Sequence, residues 1–131
     1  MNLVLDIGNT NSKFSVFKSD RLIDSGVWQS INLKEEFQKW NNNNQNCESI
    51  IISDVLGINK SDFESISKCH LVWVSAKINL PFEINYKVQE ELGADRISLV
   101  AGAVFAYPKK HCLIIDIGTC ITYDFVSKNS S

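Results

Sequence analysis

Two stretches of this 131-residue chain repeat one pattern at an offset of 110 residues. Each has an apolar run followed by Asp-Ile-Gly, in LVLDIGNTNSKF at residues 3–14 and in LIIDIGTCITYDF at residues 113–125. One copy alone would indicate an ordinary tight hairpin, because short turns of Gly and Asn are common there. A hairpin does not require a carboxylate at the strand end, however. The repetition therefore favours a duplicated phosphate-binding site.

The residue types in the two loops suit a polyphosphate. Small residues let backbone amides approach phosphate oxygens, hydroxyls donate to them, and a carboxylate at each strand end can hold a hydrated cation. In an ATP site built from two such loops, one loop holds each side of the polyphosphate. Lys13 could instead be a solvent-facing strand residue, the usual position of a lone lysine. The matching residues are Asp6, Gly8, Asn9, Thr10, Asn11, Ser12 and Lys13 in the first loop and Asp116, Gly118 and Thr119 in the second.

The order of the predicted elements indicates an α/β fold. The runs LVLDI, KFSVF and RLIDSGVW, joined by short polar turns, predict a meander of three antiparallel strands. A helix follows, with a capping box that begins at Asn32 and an apolar face formed by Leu33, Phe37 and Trp40. The runs SIIIS and LVWV then predict strands buried on both faces, separated by a short helix with a capping box at Ser61.

The rest of the chain predicts one extended segment, one helix and the second hairpin. Residues 82–88 alternate in polarity, with Tyr86 on the apolar face. Helical spacing runs from Ala94 to about Tyr107, and Pro108 supplies the stop. Ala101, Gly102 and Ala103 make one side of this helix thin enough for another helix to approach closely.

Three antiparallel strands followed by alternating helices and parallel strands have the order of a ribonuclease-H-like α/β unit, the domain of actin-like ATPases. We expect one such domain over residues 1–110, including the linking helix, and the beginning of a second over residues 111–131. A complete second unit would need roughly another hundred residues. We therefore expect this sequence to be a fragment of a longer protein.

Composition argues against several other classes of protein. A formal net charge of −2 and a longest basic run of Lys109-Lys110 disfavour nucleic acid as a partner. No apolar run approaches the roughly 18 residues of a membrane span, so we expect no membrane partner and a cytoplasmic location. The four cysteines lack CxxC spacing, which disfavours a zinc site or a secreted disulfide framework.

Three motifs give the chain a specific resemblance. DIGNTNSK at residues 6–13, GADR at residues 93–96 and DIGT at residues 116–119 resemble the motifs of the type III pantothenate kinases, in the same order and spacing. This family belongs to the superfamily of acetate and sugar kinases and actin. Cys120 departs from the family pattern, since Ala usually follows DIGT, and the family's C-terminal half is absent from this sequence.

The resemblance implies transfer of the ATP γ-phosphoryl group to the primary hydroxyl of pantothenate, the first step towards coenzyme A. It implies Mg²⁺ near Asp6 and an activating monovalent cation, K⁺ or NH₄⁺, at Asp116. It also implies a homodimer in which the partner helps to enclose pantothenate. The implied ATP-binding residues are Asp6, Ile7, Gly8, Asn9, Thr10, Asn11, Ser12, Lys13 and Thr119, and the implied pantothenate-binding residues are Tyr86, Gly93, Ala94, Asp95 and Arg96.

Asp95 is the catalytic residue that the resemblance implies, as the base that accepts the proton of the attacking hydroxyl. By pattern alone it is a carboxylate in the first turn of a helix, where the dipole stabilises negative charge. Phosphoryl transfer depends mainly on positioning and charge neutralisation. We therefore expect Asp95 to orient the hydroxyl more than it deprotonates it.

Two neighbours of Asp95 also have alternative interpretations. Arg96 offers a planar fork suited to the carboxylate of pantothenate, but a surface arginine on a helix has the same pattern. Tyr86 lies on the apolar face of its segment, which favours a core tyrosine, and only the resemblance makes it a ligand contact.

Two other functions remain open from the sequence. Another kinase or ATPase of the superfamily would share both phosphate loops but would have no reason to carry GADR. A regulatory binding protein could keep the fold without catalysis, although it would not need Asp6, Asp95, Arg96 and Asp116 together.

Overall fold

The computed structural model describes residues 1–118 and 120–129. The chain divides into two compact units, Met1–Trp73 and Val74–Ser131. The domain boundary at residue 110 expected from the sequence stays a prediction. Among the helices in the described ranges, none has both the length and the apolar character needed to cross a bilayer.

The first unit contains a five-stranded sheet of mixed direction with two α-helices. The sheet order is β3-β2-β1-β4-β5; β1 pairs antiparallel with β2 and β2 with β3, whereas β4 runs parallel to both β1 and β5. The predicted meander and its helix-strand continuation are thus confirmed. In chain order the elements are β1 (Asn2–Ile7), β2 (Asn11–Lys18), β3 (Arg21–Gln29), α1 (Leu33–Asn43), β4 (Ser49–Asp54), α2 (Lys60–Ile66) and β5 (His70–Trp73), with a 3-10 turn at Ser30–Asn32.

Alternation along the central strands creates the core. One face of β1 and β4 is fully buried, and α1 and α2 add their apolar side chains to the same cluster. The predicted apolar face of α1 is confirmed, since all three of its residues lie in this cluster. The main members are Leu3, Leu5, Ile7, Ile50 and Ile52 from the strands and Leu33, Phe37, Trp40 and Phe63 from the helices.

Several local predictions for this unit are wrong. Asn32 precedes α1 but its side chain caps nothing, because a 3-10 turn leads into the helix instead. Asn59, not Ser61, caps α2, and its side chain accepts a hydrogen bond from the Ser61 amide. β4 is not buried on both faces, since Ile51 is 41% exposed. The residues of β5 are at most half-buried, because this strand lies at the edge of the sheet.

Within its described residues, the second unit contains one α-helix and one hairpin, preceded by irregular chain with a 3-10 turn at Gln89–Glu91. The predicted helix is α3 (Ala94–Ala106), and the predicted hairpin is β6 (Cys112–Ile117) with β7 (Ile121–Val126). α3 packs against both strands. Residues 82–88 form no regular strand in the described chain, and Tyr86 is 44% exposed rather than part of a core. Alternation alone is insufficient there, because the segment has no neighbouring strand in the described sheets.

Candidate functional site

The loop after β1 is closed by its own backbone. The Gly8 amide donates to the Asn11 carbonyl at 3.2 Å. A Cβ atom at Gly8 would lie 2.8 Å from that same carbonyl oxygen. Glycine is therefore required here by close backbone approach, the property that also lets a backbone come near a phosphate.

Ser30 holds this loop from outside the motif. Its hydroxyl donates to the Gly8 carbonyl at 2.7 Å, and its amide donates to the Thr10 carbonyl at 3.0 Å. The fully buried Ser12 hydroxyl lies 2.9 Å from the Ser30 hydroxyl. Because the Ser30 proton is directed to Gly8, Ser12 is the donor of this pair. Ser12 thus holds the Ser30 hydroxyl that binds the loop. Sequence reasoning missed Ser30 because it lies 22 residues from Gly8.

The remaining polar groups of the loop face outward. Asn9, Thr10 and Asn11 are exposed and line an open cavity of about 400 Å³ together with Gln29 and Ile31. The sequence motif predicts the first three of these residues. The last two come from β3 and the turn after it, which only the sheet order brings beside the loop.

Asp6 and Lys13 lie opposite each other in the β1–β2 register. Both are exposed, on the strand faces opposite the buried core side chains. Neither takes part in an ion pair within the described residues. Both charges are therefore accessible to a ligand at the mouth of the loop.

Asp54 orders the adjacent loop at the same edge of the sheet. Its carboxylate accepts from the amides of Leu56 at 2.9 Å, Gly57 at 3.2 Å and Ile58 at 2.9 Å. The Val55 amide donates to the Ile7 carbonyl at 3.3 Å. Since β1 and β4 are parallel, their carboxyl ends meet at one edge of the sheet. The loop after β4 therefore lies beside the loop after β1 and is joined to β1 by the Val55 hydrogen bond.

The loop after β6 is a shorter version of the first. Ile117 pairs with Ile121, leaving three residues between them, whereas four residues separate the paired Ile7 and Ser12. The Gly118 amide donates to the Cys120 carbonyl at 3.0 Å. Asp116 is half-buried opposite Thr122. The predicted ATP contact Thr119 lies outside the described residues.

Gly93 precedes α3, and the side chain of Asp95 folds back towards it. The Asp95 carboxylate accepts from the Arg96 amide at 2.8 Å, and a Cβ atom at Gly93 would collide with that carboxylate. Ala94 is buried beside them. The first three residues of GADR thus form a compact unit in which a glycine makes room for the aspartate.

Arg96 is held by a partner that the motif search did not identify. Its Nε donates to Asp124 Oδ2 at 3.0 Å, its Nη2 donates to Asp124 Oδ1 at 2.6 Å, and its guanidinium carbon lies 5.5 Å from the centre of the Tyr86 ring. These contacts raise the pKa of Arg96 above its ordinary value, with the Asp124 hydrogen bond as the largest cause. Three predicted site residues thus lie together: the Tyr86 ring contacts the Arg96 guanidinium, and Asp95 precedes Arg96 in the chain.

The signal for Asp124 was present in the sequence. In ITYDFV the strand alternation places Thr122, Asp124 and Val126 on one face, and that face is the less exposed one. A carboxylate on the buried side of a strand needs a partner, because burying an unpaired charge is costly. Sequence reasoning missed Asp124 because it lies in β7, beyond the loop that carries the motif.

Comparison with known proteins gives one consistent result. The family model described as type III pantothenate kinase matches residues 2–131. A type III pantothenate kinase of Flavobacterium psychrophilum is 40% identical over 130 residues, covering 98% of this chain and 54% of the relative. The proteins of that name from Christiangramia forsetii and Flavobacterium johnsoniae are 38% and 33% identical, covering 98% and 100% of this chain.

The chain spans about half the length of these curated relatives, 54% in each of the three. The match includes all three motifs, because it runs from residue 2 to residue 131. By this match the chain belongs to the type III pantothenate kinase family.

Proposed function

We propose that the protein containing this chain phosphorylates pantothenate with ATP to give 4'-phosphopantothenate. The observation that carries the proposal is the loop at residues 8–11, whose backbone is fixed by Ser30 while its polar groups stay exposed. A loop with a fixed backbone and exposed polar side chains suits phosphoryl transfer, since that reaction depends on positioning and charge neutralisation. Family membership supplies the acceptor.

The proposed ATP site uses residues 6–13 and Thr119. Lys13 neutralises phosphate charge as an accessible cation, and Asn9, Thr10 and Asn11 donate to phosphate oxygens. Asp6 fits a Mg²⁺ ion because one exposed carboxylate, completed by phosphate oxygens and water, is a usual magnesium environment. Bound Mg²⁺ would offset negative charge on the phosphates. Asp116 is the proposed oxygen ligand of K⁺ or NH₄⁺.

The proposed acceptor site uses Tyr86 and the GADR segment. Asp95 is placed at the start of α3 with its carboxylate held beside Gly93, and we infer that it orients the hydroxyl of pantothenate for attack. This role rather than full deprotonation would leave the shape of a pH-rate profile unchanged in Asp95→Asn and lower its height. A shifted profile would contradict the orienting role.

The remaining proposals concern fold and assembly. The strand order β3-β2-β1-β4-β5 with its two parallel pairs supports a ribonuclease-H-like domain of the actin-like ATPase type. A homodimer is supported by α3, where a Cβ atom at Gly102 would meet no atom of the described residues within 4 Å. We propose a cytoplasmic location, because the proposed substrates are soluble metabolites.

The test is a coupled ATP-consumption assay in potassium buffer on the protein at its natural length. Turnover should require pantothenate, and Asp95→Ala should lower it about 10²-fold, the cost of misplacing a reacting group by roughly 1 Å. Glu90→Ala, an exposed carboxylate in the same unit, is the matched control and should leave the rate unchanged. ATP hydrolysis indifferent to pantothenate would indicate another ATPase of the superfamily, and no turnover would favour a binding protein.

A further inference from the structure

The Arg96–Asp124 pair is an ion pair with little exposure and two-point geometry. The side chains are 24% and 13% exposed, and the two parallel hydrogen bonds, at 3.0 and 2.6 Å, give the fork geometry of a bidentate Arg–carboxylate pair. The Tyr86 ring lies over the guanidinium. Asp124 and Tyr86, which both lie outside GADR, therefore fix the position and plane of the Arg96 guanidinium, and Asp124 balances its charge.

The N–H donors of Arg96 are already used in a way that leaves no two-bond edge for a ligand. A guanidinium has five N–H groups, and a carboxylate can be clamped with two bonds either at the Nε–Nη2 edge or at the Nη1–Nη2 edge. Asp124 occupies the first edge. The second N–H of Nη2 is directed to the Tyr123 carbonyl at 3.4 Å. Both two-bond edges require Nη2, so neither is free.

We propose that Asp124 is a positioning residue that also determines specificity: it neutralises Arg96 and leaves only Nη1 to donate to an uncharged polar group of the acceptor. The inference rests on the proposed function, since it concerns how the pantothenate site recognises its substrate. It replaces the expectation that Arg96 clamps the pantothenate carboxylate. The bound acceptor meets a neutral pair, and its own negative charge gains little from Arg96.

The charge balance predicts the direction of a substitution. If Asp124 loses its charge and keeps its shape, Arg96 becomes an unpaired cation of low exposure and its Nη2 is released. An anionic acceptor should then gain affinity relative to a neutral one, because a cation with little exposure is strongly attracted to a negative partner. A purely structural role of Asp124 would weaken both acceptors equally.

The experiment compares dissociation constants of pantothenate and of its primary amide, measured by calorimetry on the protein at its natural length. Asp124→Asn should raise the preference for pantothenate over the amide about tenfold, the size of one added charge-assisted hydrogen bond. Asp124→Thr, a second neutral variant suited to a strand, should shift the preference in the same direction and is measured in parallel. Glu90→Gln removes one exposed carboxylate in the same unit and should leave the preference unchanged.

Removing Arg96 as well provides the decisive control. Asp124→Asn combined with Arg96→Gln should abolish the added preference, because the gain is assigned to the released guanidinium. An unchanged or lowered preference in both neutral variants overturns the inference, as does a gain that persists without Arg96. If the unsubstituted protein binds pantothenate but ATP turnover does not require it, the proposed function fails while the specificity comparison still stands. Absence of pantothenate binding overturns both.

Discussion

The two Asp-Ile-Gly hairpins share this motif and the apolar run before it, but they differ in exposure. Leu3, Leu5 and Ile7 of β1 are 0% exposed, whereas Leu113, Ile115 and Ile117, at the same positions of β6, are 62%, 50% and 75% exposed. In the first unit α1 and α2 cover this face. In the second unit α3 packs on the hairpin and the equivalent face is open. A motif therefore specifies the hairpin and its loop, while burial depends on elements supplied elsewhere.

The largest expected difference concerns the strand faces. Leu5→Ala should destabilise the first unit by about 3 kcal/mol, because it leaves a cavity in a fully buried core. Ile115→Ala should change the free energy of unfolding by under about 0.5 kcal/mol, since that side chain is half exposed. Urea unfolding is followed by tryptophan fluorescence for the first unit, because Trp28, Trp40 and Trp73 all lie within it, and by hydrogen exchange of the β6 and β7 amides for the second. Equal losses would contradict the comparison.

The two loop glycines should differ next. Gly8→Ala forces a Cβ atom against the Asn11 carbonyl, and we expect a loss of about 1 to 3 kcal/mol together with weaker ATP binding. At Gly118 a Cβ would meet the Cys120 carbonyl oxygen at 4.0 Å and no closer atom of the described, non-adjacent residues, so Gly118→Ala should be close to neutral for folding. Thermal unfolding and nucleotide titration of both variants check this. A Gly118→Ala protein as damaged as Gly8→Ala would show that the loops are equally constrained.

Ser30→Ala tests the brace of the first loop. It removes the hydrogen bond to Gly8 and leaves the buried Ser12 hydroxyl without its acceptor, which should cost about 1 to 2 kcal/mol. Ser127→Ala, in the other unit and beyond β7, should not affect the tryptophan transition. Amide hydrogen exchange at Gly8 should accelerate in Ser30→Ala. Unchanged exchange there would mean that the loop holds itself without Ser30.

The smallest effect is a contrast in thiol reactivity. Burial, followed by the neighbouring Cys69, raises the pKa of Cys47 to about 11, whereas Cys120 in the second loop is exposed. Alkylation with iodoacetamide at pH 8, read by peptide mass spectrometry, should modify Cys120 first. The raised pKa stabilises the fold fully below about pH 9, and this contribution is lost as pH rises towards 11. Rapid labelling of Cys47 at pH 8 would contradict its burial.

Local patterns predicted most elements but not their caps or contacts. Period-2 and helical spacing identified β1, α1 and α3 because each buries one face of a regular element. The caps failed where a competing neighbour was available, as with Asn59 before Ser61. Residues 82–88 failed because a strand also needs a partner strand, and alternation carries no information about one.

The candidate site shows the same division between local constraints and long-range contacts. Gly8 and Gly93 could be selected from sequence because close backbone approach requires glycine within a few residues. Ser30 and Asp124 act across 22 and 28 residues, so their roles depend on strand register and helix packing. Alternation in β7 places Asp124 on the less exposed face, but no local pattern identifies Arg96 as its partner.

The most direct test is phosphorus NMR of the protein at its natural length, incubated with ATP, Mg²⁺, K⁺ and pantothenate. We predict a new phosphomonoester resonance that appears only when pantothenate is present and is lost in Asp95→Ala. Release of inorganic phosphate without a phosphomonoester, or a phosphomonoester formed equally well by Asp95→Ala, would contradict it.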